Sequence, residues 1–208
     1  LLPTKEKPAQ SKQFILQPTP RELKKHLPRT KLFSLGLKRL IGKKPEDILR
    51  YEFKPVHVHF TTGRSADQIP VLYTARDLDQ LKEAGFRLFT LIGATTQDVV
   101  INAFPFAPHL AFWQTFKAIR YCGVMGLHTG GGKVLGTNKI ISAMEKLGGT
   151  LFIAVPGYAY HVLLRAKEQG TNLSSLKKIV LGGDKVSEGL KSKLKKLAES
   201  CGATDVQV

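Results

Sequence analysis

Residues 151–184 read LFIAVPGYAYHVLLRAKEQGTNLSSLKKIVLGGD, and this stretch decides the fold. It opens on an unbroken apolar run at 151–155, bounded by Pro156 and Gly157, which is the pattern of a short buried strand. Residues 158–169 have the composition of a helix, and Lys178, Ile179, Val180 and Leu181 form a second buried strand. Beyond it Leu190, Leu194 and Leu197 recur at i, i+4 and i+7, one face of a Lys-rich helix, and residues 203–208 begin a further strand. Strand, helix, strand, helix, strand with short links predicts an α/β fold: a parallel sheet with flanking helices in βαβ order and right-handed crossovers.

Upstream, residues 99–103 read as a strand that ends in Phe104-Pro105-Phe106-Ala107-Pro108, followed by a helix over 109–121. Thr137 is placed to cap a helix carrying Ile140, Ile141, Met144 and Leu147. Nearer the N-terminus, residues 56–60 and 69–73 read as paired strands, and Thr74 as the N-cap of a helix through Asp77, Leu78, Leu81 and Ala84. Short helical pieces are expected at 21–27, 35–41 and 45–51, the last with proline at its start. Residues 1–20 are polar and punctuated by proline, an extended arm. The expected organisation is a basic arm with short helices over 1–50 and one partial α/β domain over 51–208.

Composition narrows the class. A hydrophobic fraction of 42% over 208 residues is enough to build a core. No apolar run approaches the roughly 20 residues of a membrane helix, and the first residues lack the apolar centre of a signal peptide. Cys122 and Cys201 are too few and too far apart for a disulfide framework, so a reducing cytoplasm is the simplest setting. The formal charge is +16, and residues 1–50 carry 13 Lys/Arg against 4 Asp/Glu, so +9 of it lies at the front. A nucleic-acid or acidic surface is one partner for such a segment. A solvated basic lead-in on a protein that handles anionic small molecules is the stronger reading, because few aromatic residues interleave the basic stretch.

Three loops carry candidate chemistry. Thr61, Thr62, Gly63, Arg64 and Ser65 offer hydroxyls, a flexible backbone and one guanidinium, the mixture that wraps a polyphosphate; a tight hairpin turn uses the same residue types. Gly182, Gly183 and Asp184 follow a buried strand, at the carboxyl edge where open α/β sheets bind ligands. Asp184 is suited equally to capping the next helix and to holding a ligand hydroxyl. Thr129-Gly130-Gly131-Gly132-Lys133 is not a Walker A loop, since the spacing differs and Val134 stands where Ser or Thr would hold Mg²⁺. It reads as a bend that lets backbone approach a ligand. Phe104, Phe106, Phe112, Trp113 and Phe116 cluster in sequence, as core or as one wall of an apolar pocket. His57 and His59 alternate with Val58, so they share one face of a strand, and without a third donor they make a poor metal site.

Taken in order, these segments resemble the phenylacetate–CoA ligase-like branch of the adenylate-forming (AMP-dependent) synthetases, from about residue 49 to 208. The matching pieces are His59-Phe60-Thr61-Thr62-Gly63-Arg64-Ser65, Pro70-Val71-Leu72-Tyr73-Thr74, Asn102-Ala103-Phe104-Pro105, Thr129-Gly130-Gly131-Gly132-Lys133, Val155-Pro156-Gly157-Tyr158 and Leu181-Gly182-Gly183-Asp184-Lys185-Val186. The resemblance implies ATP, Mg²⁺ and coenzyme A as cofactors and a small carboxylic acid as substrate. It implies an acyl-adenylate intermediate whose acyl group passes to a thiol. By position, Thr61, Thr62, Gly63, Arg64 and Ser65 would grip the ATP phosphates. Gly182, Gly183 and Asp184 would lie at the adenosine and acyl region. Phe104, Phe106, His109, Gly130, Gly131 and Gly132 would line the acyl pocket.

Two departures stand out: Arg64 is the only cation near the phosphate loop, and Asp184 replaces the more usual Glu. The family's Tyr-Gly-x-Thr-Glu segment would begin just after Val208, so the catalytic and metal-holding residues are expected beyond this chain, which on that reading is a fragment inactive by itself. A homodimer is compatible with the resemblance. The alternatives are an acyl-protein synthetase-like relative that loads a protein thiol, or a non-catalytic basic binding module for nucleic acid or a protein partner.

Overall fold

The computed structural model describes residues 19–42, 44–60, 69–106 and 109–208. Backbone contacts group the chain into two compact units, residues 1–80 and 81–208.

In the first unit three helices, α1 (Pro20–His26), α2 (Arg29–Leu40) and α3 (Pro45–Phe53), precede a two-stranded antiparallel ribbon of β1 (Pro55–Phe60) and β2 (Pro70–Thr74). Thr19 and Glu22 close a capping box on α1: the Glu22 N–H donates to Thr19 Oγ1, and the Glu22 carboxylate accepts from the Thr19 N–H at 2.8 Å. The ribbon pairs His57 with Tyr73 and His59 with Val71. Both histidines lie on the inner face, as the alternation predicts, with His59 packed edge-on against His57 and Tyr73. Residues 61–68, which include Thr61, Thr62, Gly63, Arg64 and Ser65, lie outside the described residues.

Helix α4 (Ala75–Leu91) crosses from the first unit into the second and runs well past Ala84. Thr74 caps it as expected: its hydroxyl accepts from the Asp77 N–H at 3.2 Å, while its own N–H donates to the Asp77 carboxylate at 2.8 Å.

The second unit is a four-stranded parallel sheet, the α/β architecture that the sequence predicts. Its strands are β3 (Val99–Asn102), β4 (Met125–His128), β5 (Leu151–Ala154) and β6 (Lys178–Leu181), in the order β4-β3-β5-β6. Helices α5 (Leu110–Tyr121), α6 (Thr137–Lys146) and α7 (Pro156–Glu168) form the crossovers, and α8 (Glu188–Ser200) follows β6. Alternate strand residues serve the two faces. Ile101, Phe152 and Ile179 pack into the core beneath α6, α7 and α8. Val100, Leu151 and Ile153 pack with Phe89, Phe112, Ala118 and Ile119 of α4 and α5 on the other face. Burial on both faces is why β5 shows no polar alternation.

At the amino end of the sheet Asp98 pins two strands. Its carboxylate accepts from the Thr95 N–H and from the Thr150 hydroxyl, each at 2.7 Å. Burial opposes its charge, but these hydrogen bonds and the Lys178 cation outweigh that and hold its pKa below the ordinary carboxylate value.

The structure adjusts several expectations. Strand β4 is absent from the sequence reading because Met-Gly-Leu-His has neither alternation nor β-branched residues. Thr137 is the first helical residue of α6 rather than its cap: Gly136 holds the cap position, and the Thr137 hydroxyl lies 3.2 Å from that of Tyr158. Asp184 does not cap α8; Ser187 does, its hydroxyl accepting from the Leu190 N–H at 3.2 Å. The final strand over 203–208 reduces to one parallel bridge, Gln207 beside Lys178.

Candidate active site

The order β4-β3-β5-β6 places a topological switch between β3 and β5. The chain leaves β3 through α5 on one face of the sheet and leaves β5 through α7 on the other. Loops therefore diverge beyond the carboxyl ends of these neighbouring strands, and a crevice opens there. Four loops reach that edge: 103–106 after β3, 129–136 after β4, Val155 after β5 and 182–187 after β6.

Polar groups at the edge are tied together. Asn102 is fully buried; its Oδ1 accepts from the Phe104 N–H at 3.2 Å and its Nδ2 lies 3.2 Å from His128 Nδ1. An amide nitrogen can only donate, so His128 Nδ1 is the acceptor and the imidazole proton resides on Nε2. Burial lowers the His128 pKa and keeps the ring neutral, with Phe112 and Phe116 stacked beside it. Thr129 fastens the next loop: its hydroxyl donates to the Asn102 carbonyl and accepts from the Gly131 N–H, both at 3.2 Å. Gly130 has φ of +67°, and a Cβ there would stand 3.1 Å from the Cβ atoms of Phe106 and Val134, so only glycine suits this bend.

Below the Gly182-Gly183 turn lies an apolar cavity of about 200 Å³. Ile153, Val180 and Leu181 supply its sheet wall, and Phe89, Ala111 and Ala118 its helical wall. Gly182 is glycine because the Phe104 ring lies directly beneath, 3.2 Å from where a Cβ would be. Gly183 has φ of +88°, a conformation that presents backbone rather than side chain at the rim. Asp184 is exposed beside it, with its carboxylate accepting from the Lys185 N–H at 2.8 Å.

The sequence-predicted residues divide between two places. Phe104, Gly182 and Gly183 line the cavity, and Asp184 stands at its rim. Phe106 is 59% exposed and stacks on Phe112 and Trp113, in an aromatic row that continues through Phe116 to His128. Gly130 lies beside Phe106, Gly131 beside Pro105 and Gly132 against Tyr158, and His109 immediately precedes α5; none of these four lines the cavity. The helical wall is absent from the sequence reading. Its signal is there in retrospect: Ala111, Thr115 and Ala118 recur at i, i+4 and i+7 on α5. His128 is likewise absent, because its strand is.

Comparison with known proteins places this architecture. No protein-family model matches the chain, and no curated protein matches it in sequence. Among solved structures it is similar to an open conformation of 2-hydroxyisobutyryl-CoA ligase in complex with 2-HIB-AMP and CoA. That match has 20% identity and a TM-score of 0.63 over 70% of this chain and 34% of that one. It is also similar to a long-chain-fatty-acid-CoA ligase (FadD1) from Archaeoglobus fulgidus, with 22% identity and a TM-score of 0.62 over 76% of this chain and 31% of that one. A third match is McyG A-PCP complexed with phenylalanyl-adenylate, at 17% identity and a TM-score of 0.53 over 73% of this chain and 24% of that one. The fold is that of the N-terminal part of adenylate-forming enzymes, and the chain spans about a third or less of the length of these relatives.

Proposed function

We propose that this chain is the N-terminal portion of an ATP-dependent acyl-adenylating ligase, of the phenylacetate–CoA ligase-like branch. The observation that carries the reading is the apolar cavity roofed by the Gly182-Gly183 turn, against β5 and β6 beside the switch point of a sheet shared with acyl-CoA ligases. The cavity takes the acyl group, which leaves its carboxylate at the glycine rim. There the backbone of Gly182 and Gly183 lets a flat nucleotide approach, and the exposed Asp184 carboxylate is free to meet a ribose hydroxyl. Thr61, Thr62, Gly63, Arg64 and Ser65 are assigned to the ATP phosphates by their position in the family resemblance.

In the first half-reaction a carboxylate oxygen attacks the α-phosphorus of ATP and pyrophosphate leaves. In the second a thiol attacks the acyl carbonyl and AMP leaves. Coenzyme A is the proposed acceptor, with a protein thiol as the near alternative. Mg²⁺ would neutralise phosphate charge. The described residues contain no group of three His, Cys, Asp or Glu side chains able to hold it, so no step is assigned to it.

Acid-dependent ATP–pyrophosphate exchange by the protein in its full reading frame tests the proposal; no exchange with any carboxylic acid overturns it. Arg64→Ala is expected to raise KM for ATP at least tenfold, the worth of a charge-assisted contact, and to leave KM for the acid unchanged. Equal kinetics with ATP would remove Arg64 from the phosphate site.

A further inference from the structure

Helix α2 turns an apolar stripe outward. Phe33, Leu37, Leu40 and Ile41 recur at i, i+4, i+7 and i+8, one line along the helix, and are between 51% and 82% exposed. The opposite face anchors the helix: Leu35 is buried, and Lys31 is ion-paired to Glu52 of α3 at 2.7 Å. Exposed apolar residues are ordinary when scattered, but four on one line make a contiguous surface of the kind that meets a partner.

Charge says which partner. The helical period places Arg39 on one flank of the stripe and Lys38 on the other, while Arg29 opens α2 and Lys44 lies just past its end. Among the described residues none of these four cations is in an ion pair. The exposed Phe86 of α4 differs in this respect, since its neighbours Glu83 and Arg87 neutralise each other at 2.8 Å. An apolar stripe bordered by uncompensated cations matches a lipid surface, where negative headgroups overlie an acyl layer. A nucleic acid would use the cations but not Leu37, Leu40 and Ile41, which offer no aromatic platform for bases. A protein groove that wraps a basic helix needs more than one free face, and α3 holds the other. A second copy would bring the same cations against these.

We infer that α2 is an interfacial docking helix that seats the protein on an anionic lipid surface. Phe33, Leu37, Leu40 and Ile41 enter the boundary between headgroups and acyl chains, and Arg29, Lys38, Arg39 and Lys44 meet the negative headgroups. No described helix is long and apolar enough to cross a membrane, so α2 lies in the plane of the surface. The docking face is independent of the ligase reading.

The test is co-sedimentation of the protein, in its full reading frame, with vesicles of phosphatidylcholine made with or without phosphatidylserine. Binding to the anionic vesicles is expected to be at least about tenfold tighter than to phosphatidylcholine alone, since several cations each contribute. It is expected to weaken severalfold in about 1 M salt, where charge acts over only about 3 Å. Phe33→Ser combined with Leu40→Ser alters two exposed side chains and leaves the buried Leu35 in place, and is expected to abolish binding. Arg39→Gln is expected to cost about fivefold, the worth of one cation near an anionic surface. No binding, equal binding to the two vesicle types, or full binding by the double serine variant overturns the inference. Self-association that the serine variant loses, without vesicle binding by the parent, overturns it in favour of a second copy. Binding of duplex DNA without binding of vesicles overturns it in favour of nucleic acid. Pyrophosphate exchange without vesicle binding sinks only this inference, and vesicle binding without exchange sinks only the ligase reading.

Discussion

At the scale of single residues, the buried pair Asn102–His128 ties the ends of two neighbouring strands at the candidate site. Burial sets the His128 pKa below its ordinary 6.5, so on acidification the unfolded chain takes up this proton first. The stability contributed by the neutral ring is complete above pH 6.5 and is lost as pH falls through the lower folded-state value. His128→Gln keeps an acceptor for the Asn102 amide without the titration. It is expected to flatten the pH dependence of urea unfolding between pH 6.5 and that lower value, and an unaltered slope would show that other groups govern it. Gly182→Ala tests the roof: its Cβ would press on the Phe104 ring at 3.2 Å and drive it into the cavity. Weaker binding of ring-bearing acids, with short acids affected less, is the expected result by isothermal titration.

Among elements, helix ends and helix contacts decide more than the loops that look functional. Ser187 caps α8 and Asp184 does not, so the two are expected to separate in urea unfolding. Ser187→Ala costs about 1 kcal/mol, whereas Asp184→Ala stays within about 0.5 kcal/mol. The opposite ranking would restore Asp184 as a structural residue. Where α4 meets α5, a Cβ on Gly85 would stand 2.6 Å from that of Ala118, which itself lines the cavity. Gly85→Ala is expected to destabilise by about 1–3 kcal/mol through overpacking and to shrink the cavity from its far side. Strand β4 carries the same lesson in reverse. Its Gly126 and His128 are poor strand formers, and the strand exists because β3 offers it a hydrogen-bonding edge.

For the molecule as a whole, charge is the dominant feature. A formal +16 with +9 in residues 1–50 repels itself, and salt shortens that repulsion from about 30 Å at 0.01 M to about 8 Å at 0.15 M. The thermal midpoint of the chain is expected to rise over that range of sodium chloride. A flat or falling midpoint would mean that the charges are already compensated locally.

How much was legible depends on the range of the interactions involved. The buried strand 151–154, the half-buried strand 178–181, the Thr74 cap and the leucine face of α8 rest on local rules, namely apolar runs, capping hydroxyls and a 3.6-residue period, and the sequence alone determined them. With them came the parallel α/β architecture and the Gly182-Gly183 turn. What only tertiary structure decided was the order β4-β3-β5-β6, the edge strand β4, and the meeting of Phe104, Gly182, Thr115 and Phe89 around one cavity. Those residues are up to 93 positions apart in the chain (Phe89 to Gly182). No local period encodes which helix face meets which strand end, because that choice is made by burying the apolar faces of all the elements together.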